Sequence, residues 1–262
     1  MLFRSNDTAT TEIYTLSLHD ALPIFKARYK QSALGVAWAL LQPLSMMVVF
    51  TLVFSLFAKV PSDGIPYPVF AYSALIFWTF FSNAITGGTV AMVSNASLIR
   101  KIYFPRETLL IAVLLAGLLD LGVASLLFVG MLFYYKVSLS LAALWVVPLL
   151  LVQITLTFGV ISLTSASHVY YRDIGHALPL VVQLWMFATP VAYPVSVIPG
   201  WLHPFYMLNP MAAIIDGYRR ALILGTAPEL PALGMSVAIT AIITTIALLV
   251  FKRAARTFAD VI

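Results

Sequence analysis

Apolar residues dominate the chain in six long runs, separated by short polar or proline-rich stretches. The first, Val36 to Ala58, opens near Trp38 and contains Pro43; the second covers about Val69 to Val93. The third, Thr108 to Tyr134, has Asp120 inside it, and the fourth covers about Ala142 to Ser167. Ala177 to Ala192 is marginal in length and holds Pro179 and Pro190, and Leu233 to Phe251 closes the series. About 20 apolar residues cross a bilayer as a helix, which satisfies its own backbone groups where water is absent. The pattern predicts an all-α integral membrane protein with six transmembrane helices.

The polar stretches are not alike. Between the second and third runs, Leu98, Ile99, Ile102 and Tyr103 fall on one side of a helix, with Arg100 and Lys101 on the other. Pro105 ends that helix and can open the next, and Arg106 and Glu107 follow. A loop that only reversed the chain would need no apolar face, so a separate subunit is expected to dock here. Ahead of the first run, Phe25, Tyr29, Ala33 and Val36 form a stripe beside Lys26, Arg28 and Lys30, which suits an interfacial helix lying among headgroups. Between the fifth and sixth runs lie Pro194, Pro199, Pro204 and Pro210, then a short amphipathic helix from Met211 to Leu224 ended by Gly225. This broken, apolar character predicts re-entrant half-helices. Residues 1–24 are polar and Thr-rich, without the basic start and apolar centre of a signal peptide. They resemble translated sequencing-adapter read-through, or else a disordered tail, and are set apart from a domain covering 25–262.

Lys and Arg set the orientation. With the Phe25 end inside and all six runs crossing, Lys26, Arg28, Lys30, Arg100, Lys101, Arg106, Arg172, Lys252, Arg253 and Arg256 are cytoplasmic, and both termini with them. Lys59, Lys136, Arg219 and Arg220 are outside. If the fifth run failed to cross, the closing basic cluster would be expelled from the cytoplasm. The composition agrees: 61% of residues are hydrophobic and 10% charged, against about 25% charged in soluble domains. With no cysteine there are no disulfides or thiolate metal sites. The net charge of +5 lies at the ends of apolar runs rather than in one patch, so nucleic acid is not implied.

Candidate chemistry is sparse. There is no phosphate-binding Gly-Lys loop, no His-Glu-x-x-His pair and no Gly-x-Ser-x-Gly elbow, so no catalytic residue and no cofactor of the chain's own is expected. His168 and His176 flank one loop and read as solvated. Asp120 is the one acid deep in a run; it reads as a helix–helix hydrogen bond or as a contact to substrate or proton. Asp216 precedes Arg219 and Arg220 on one helix, so the three read as a local ion pair or as the basic rim of an outer gate for an anionic substrate. Tyr72, Phe77, Trp78 and Phe81, with Asn83, read as an interfacial belt or as the lining of a glycan translocation path. A partner-free proton-coupled carrier would need matched ionisable groups in two repeats, and only Asp120 qualifies.

Four stretches carry a resemblance: Lys26 to Trp38 with Gln42-Pro43, Ile102-Tyr103-Phe104-Pro105-Arg106-Glu107, Tyr170-Tyr171-Arg172-Asp173, and Leu208-Asn209-Pro210-Met211. Through them the chain resembles ABC-2 type permeases, more narrowly the exporters of O-antigen, capsule or teichoic-acid chains. The resemblance implies a permease homodimer in a bacterial inner membrane, joined to two subunits that bind ATP and Mg. It implies that the 94–107 loop is the coupling helix, that residues 26–37 lie at the cytoplasmic interface, and that the outer half-helices form a gate. It implies a lipid-linked or phosphate-linked glycan as substrate. A small drug or lipid is the alternative cargo.

Overall fold

The computed structural model describes residues 37–101 and 104–258. The segment at 1–24, the interfacial helix with Lys26, Arg28, Tyr29 and Lys30, and Ile102 and Tyr103 of the coupling stretch lie outside the described residues.

Among the described residues, five helices are long and apolar enough to cross a membrane. They are α1 (Ala37–Phe57), α2 (Tyr67–Ser94), α4 (Glu107–Tyr134), α5 (Leu141–Tyr170) and α9 (Leu230–Ala255). Shorter helices link them: α3 (Ala96–Lys101), α6 (Ile174–Phe187), α7 (His203–Met207) and α8 (Pro210–Arg219). A wider-turned coil, Arg220–Leu224, extends α8 to Gly225, whose φ of +67° stops it at no steric cost.

The fifth apolar run differs from the expectation. Its helix, α6, begins at Ile174, before the predicted Ala177, and stops at Phe187. Its 14 residues extend about 21 Å, short of a hydrocarbon core of about 30 Å. The remainder of the run, through Pro190, forms a tight apolar turn in which Thr189, Val191 and Ala192 are buried. Pro190 cannot donate to a helical carbonyl, so the coil does not continue. Among the described residues the fifth run thus forms a shorter helix than the other five.

The core is organised around α2, 78% buried along its most apolar stretch, whereas α1 is 11% buried. α4, α5, α1, α8 and α6 surround α2, and α9 packs along α5. Lipid chains offer no hydrophobic drive between helices, so close backbone approach and buried hydrogen bonds hold the contacts. A Cβ at Gly88 would overlap the Ile161 side chain. One at Gly159 would stand 2.6 Å from Thr244 Oγ1 and 2.9 Å from its Cα, so α9 crosses α5 where only hydrogen fits. Beside this crossing the Thr244 hydroxyl donates to the Thr155 carbonyl at 3.0 Å. The Thr89 and Thr164 hydroxyls meet at 2.6 Å between α2 and α5.

Candidate functional site

At the end of the bundle that carries Arg100, Arg106, Arg172, Lys252 and Arg253, α3 stands between α2 and α4. Its apolar stripe is divided: Ile99 is buried in the core, while Leu98 is 38% exposed and Arg100 is exposed. Ile99 anchors the helix and Leu98 and Arg100 present its outer side. Pro105 precedes α4, which opens at Glu107 rather than at the proline. The Arg106 guanidinium lies 5.5 Å from the centre of the Phe258 ring. Phe258 is fully buried against Phe251, and the Tyr170 and Thr257 hydroxyls meet at 2.5 Å. The stretches after α3, after α5 and after α9 are thereby tied together. His168, read as solvated, is 6% exposed; its Nδ1 accepts from the Gly175 amide at 3.2 Å, and the ring lies where a Gly175 side chain would stand.

At the opposite end, the turn at 188–192 is held from three sides. The Tyr67 hydroxyl donates to the Ala192 carbonyl at 2.7 Å. Asn209 caps α8 by accepting from the Met211 amide at 3.1 Å, and its amide donates to the Ala188 carbonyl and the Thr189 hydroxyl, each at 3.0 Å. The Trp185 indole donates to the same Asn209 oxygen at 2.9 Å. Arg219 provides the third grip: its Nη2 donates to the Val191 carbonyl at 3.1 Å and its guanidinium lies 3.7 Å from the Phe70 ring centre.

Asp216, Arg219 and Arg220 therefore do not form one triad. Arg220 pairs with Asp216 at 2.6 Å and approaches Glu229 at 3.8 Å. Arg219 is 3% exposed, with Nε and Nη1 unpartnered, so it is no part of an exposed rim. Successive helical residues point about 100° apart, which sends one arginine to the surface and its neighbour inward. Burial pulls the Arg219 pKa down to about 10, while Asp216, Tyr206, Tyr67 and Asp63 oppose the fall, and the side chain stays charged at neutral pH.

The aromatic set proves to be core. Tyr72, Phe77, Trp78 and Phe81 are each less than 5% exposed. Phe77 stacks on Tyr218 with ring centres 3.5 Å apart, Tyr72 faces Phe128, and Trp78 and Phe81 meet Trp185 edge-on. The four rings are enclosed by the chain's own packing. Gln153 completes the packing, donating to the Phe77 carbonyl at 2.8 Å and accepting from the Tyr218 hydroxyl at 2.9 Å.

Asn83, by contrast, reaches a cavity of about 240 Å³ between α1, α2 and α4, lined also by Trp38, Ala39, Gln42, Thr79 and Asp120. Its amide donates to the Gln42 oxygen at 3.0 Å. Asp120 lines the same cavity, where α1, α2 and α4 part. Sequence reading missed Tyr67, Asn209 and Gln153 as structural partners. Of these, Asn209 alone had a local signal, an N-cap residue directly before a proline. Among the described residues no group of three or more acids or histidines is arranged to hold a metal.

Comparison with known proteins agrees with this architecture. Residues 24–223 match the family described as ABC-2 type transporter. The O-antigen export system permease protein RfbA of Klebsiella pneumoniae is 30% identical over 203 residues, 77% of each chain. RfbA of Myxococcus xanthus is 30% identical over 240 residues, 90% of each chain. The polysialic acid transport protein KpsM of Escherichia coli is 24% identical over 232 residues, 86% of each.

Proposed function

The chain belongs to the ABC-2 type transporter family, a multi-pass inner-membrane permease, and from that membership we propose that it is the membrane subunit of an ATP-driven polysaccharide exporter. The cargo is a lipid-linked or phosphate-linked glycan moved from the cytoplasmic face outward. A separate subunit binds ATP and Mg and supplies the force, since the permease carries no phosphate-binding loop.

The observation that carries this reading is α3: a six-residue helix anchored through Ile99, presenting Leu98 and Arg100, and continuous with the most buried helix of the bundle. Force on its outer side has a rigid path into α2, the route by which one site biases another. Leu98, Arg100, Lys101, Ile102, Tyr103, Arg106 and Glu107 form the docking surface, and the sequence pattern assigns Lys26, Arg28, Tyr29 and Lys30 to an interfacial helix. The basic end is cytoplasmic by the charge rule. A fifth crossing is supported by the Ala192 carbonyl, which bonds to Tyr67 at the first residue of α2, the end remote from α3. The turn at 188–192 and α7–α8 then form the outer gate. The sparse burial of α1 supports a second permease copy against that face.

The test replaces Arg100, Lys101 and Arg106 together with alanine and measures substrate-stimulated ATP hydrolysis and surface glycan in the reconstituted complex. Both are expected to fall severalfold with the permease still inserted. Unchanged hydrolysis, export and partner binding would remove the docking role.

A further inference from the structure

Lys136 follows Tyr135, the C-cap of α4, with a left-handed backbone, φ +56°, which glycine would adopt without strain. Neither usual role of a lysine at a helix end accounts for it. The last carbonyls of α4 are already closed by the backbone as a Schellman motif: the Val137 amide donates to the Leu132 carbonyl at 3.0 Å and the Lys136 amide to that of Phe133 at 3.2 Å. Among the described residues no carboxylate pairs with its ammonium. The side chain is exposed and lines a groove of about 440 Å³, within the range of about 300–1,000 Å³ that ligand sites occupy. One wall is the end of α4 from residue 129 to 133, the other residues 137–139, and only Lys136 and Ser138 bring polar side chains to it. Just beyond the second wall, Ser140 donates to the Gly225 carbonyl at 3.1 Å, which holds that segment in place. Phe133 is 79% exposed, and Val129 and Leu139 are exposed beside it.

We propose that this groove binds one anionic phospholipid of the surrounding bilayer, its phosphate on the Lys136 ammonium and the Ser138 hydroxyl, one acyl chain along Val129, Phe133 and Leu139. Depth fits that occupant. The 28 residues of α4 extend about 42 Å, matching a bilayer with its headgroups at about 40–45 Å. Lys136 therefore stands at the level of the phosphates. Val129, five residues before the helix ends at Tyr134, lies about 7 Å deeper, beside acyl chains. Charge selects among lipids. A phosphate is a point-charge partner for an ammonium, and a hydroxyl beside it adds a second donor. A zwitterionic headgroup brings its own cation against Lys136 and is held less well. A protein chain laid over the groove would bury the ammonium without a counter-ion, which is costly. The site concerns the membrane around the permease and not its cargo.

Native mass spectrometry of the full chain in detergent, titrated with dioleoyl phosphatidylglycerol or dioleoyl phosphatidylcholine, tests the assignment. The first phosphatidylglycerol is expected to bind about fivefold tighter than the first phosphatidylcholine, the worth of one basic contact to an anionic lipid. Lys136→Gly should erase most of that preference, and its backbone suits glycine, so folding is not at stake. Lys136→Arg keeps the charge and should keep the preference. Phe133→Ala removes a contact to the acyl chain and should weaken both lipids alike. Lys59→Ala, an exposed lysine just beyond α1 and outside the groove, should change neither. Equal affinity of the two lipids for the wild-type chain, or an undiminished preference in Lys136→Gly, overturns the site. Displacement of phosphatidylglycerol by an equal concentration of a polyprenyl phosphate overturns it too, because the groove would then serve a cargo carrier instead.

Discussion

Replacing Arg219 separates two accounts of a buried charge. The guanidinium gains one charged hydrogen bond to the Val191 carbonyl, worth about 1.5–3 kcal/mol, and a desolvated contact with the Phe70 ring worth about 2 kcal/mol. Against this, burial lowers its pKa to about 10, which corresponds to roughly 3 kcal/mol spent on holding the charge at neutral pH. That cost is fully present below pH 10 and fades as the pH rises above it, because the unfolded side chain keeps its proton to higher pH. The gains exceed the cost only slightly. Arg219→Met, which deletes gains and cost together, should cost about 0.5–2 kcal/mol. Arg219→Lys keeps a buried charge while losing the planar stacking and the reach to Val191, and should cost about 3 kcal/mol. Thermal loss of the monodisperse peak on size exclusion in detergent reads the difference, with the lysine variant roughly 6–12 °C below wild type. A lysine variant as stable as wild type, with the methionine variant the least stable, would refute the balance drawn here.

Other outcomes follow from the same contacts. Gly159→Ala places a methyl 2.9 Å from the Thr244 Cα and should destabilise by about 1–3 kcal/mol, whereas Gly122→Ala, where a Cβ meets nothing within 4 Å, should be nearly silent in the same melt. Gln153→Leu strands the buried Tyr218 hydroxyl and should cost about 1–3 kcal/mol; adding Tyr218→Phe should recover part of it, and a double mutant as unstable as the sum of the singles would contradict the pairing. Asn209→Ala releases the α8 cap and the turn at 188–189 together; it should lower the melting temperature more than an ordinary cap loss of about 1 kcal/mol, and a smaller fall would mean the turn is held without it.

Much of the architecture was legible along the chain. Bilayer thickness imposes a length on every crossing element, and lipid forbids unpaired backbone, so the apolar runs mark α1, α2, α4, α5 and α9 to within a few residues at most ends. Charge alone marked the end at which α3 stands. What periodicity could not settle was which side of each helix faces protein, since in these spans both sides are apolar. Phe77 and Trp78 look the same as belt, path or core, and only the arrival of Tyr218 and Trp185 from residues far downstream makes them core. Adjacent arginines divide for the same reason: Arg219 turns toward Phe70 and Val191, Arg220 toward Asp216. The early end of α6 and the cavity at Asp120 depend likewise on contacts between segments tens of residues apart. A single run of sequence specifies how long a helix can be in lipid, but its neighbours decide what each of its faces touches.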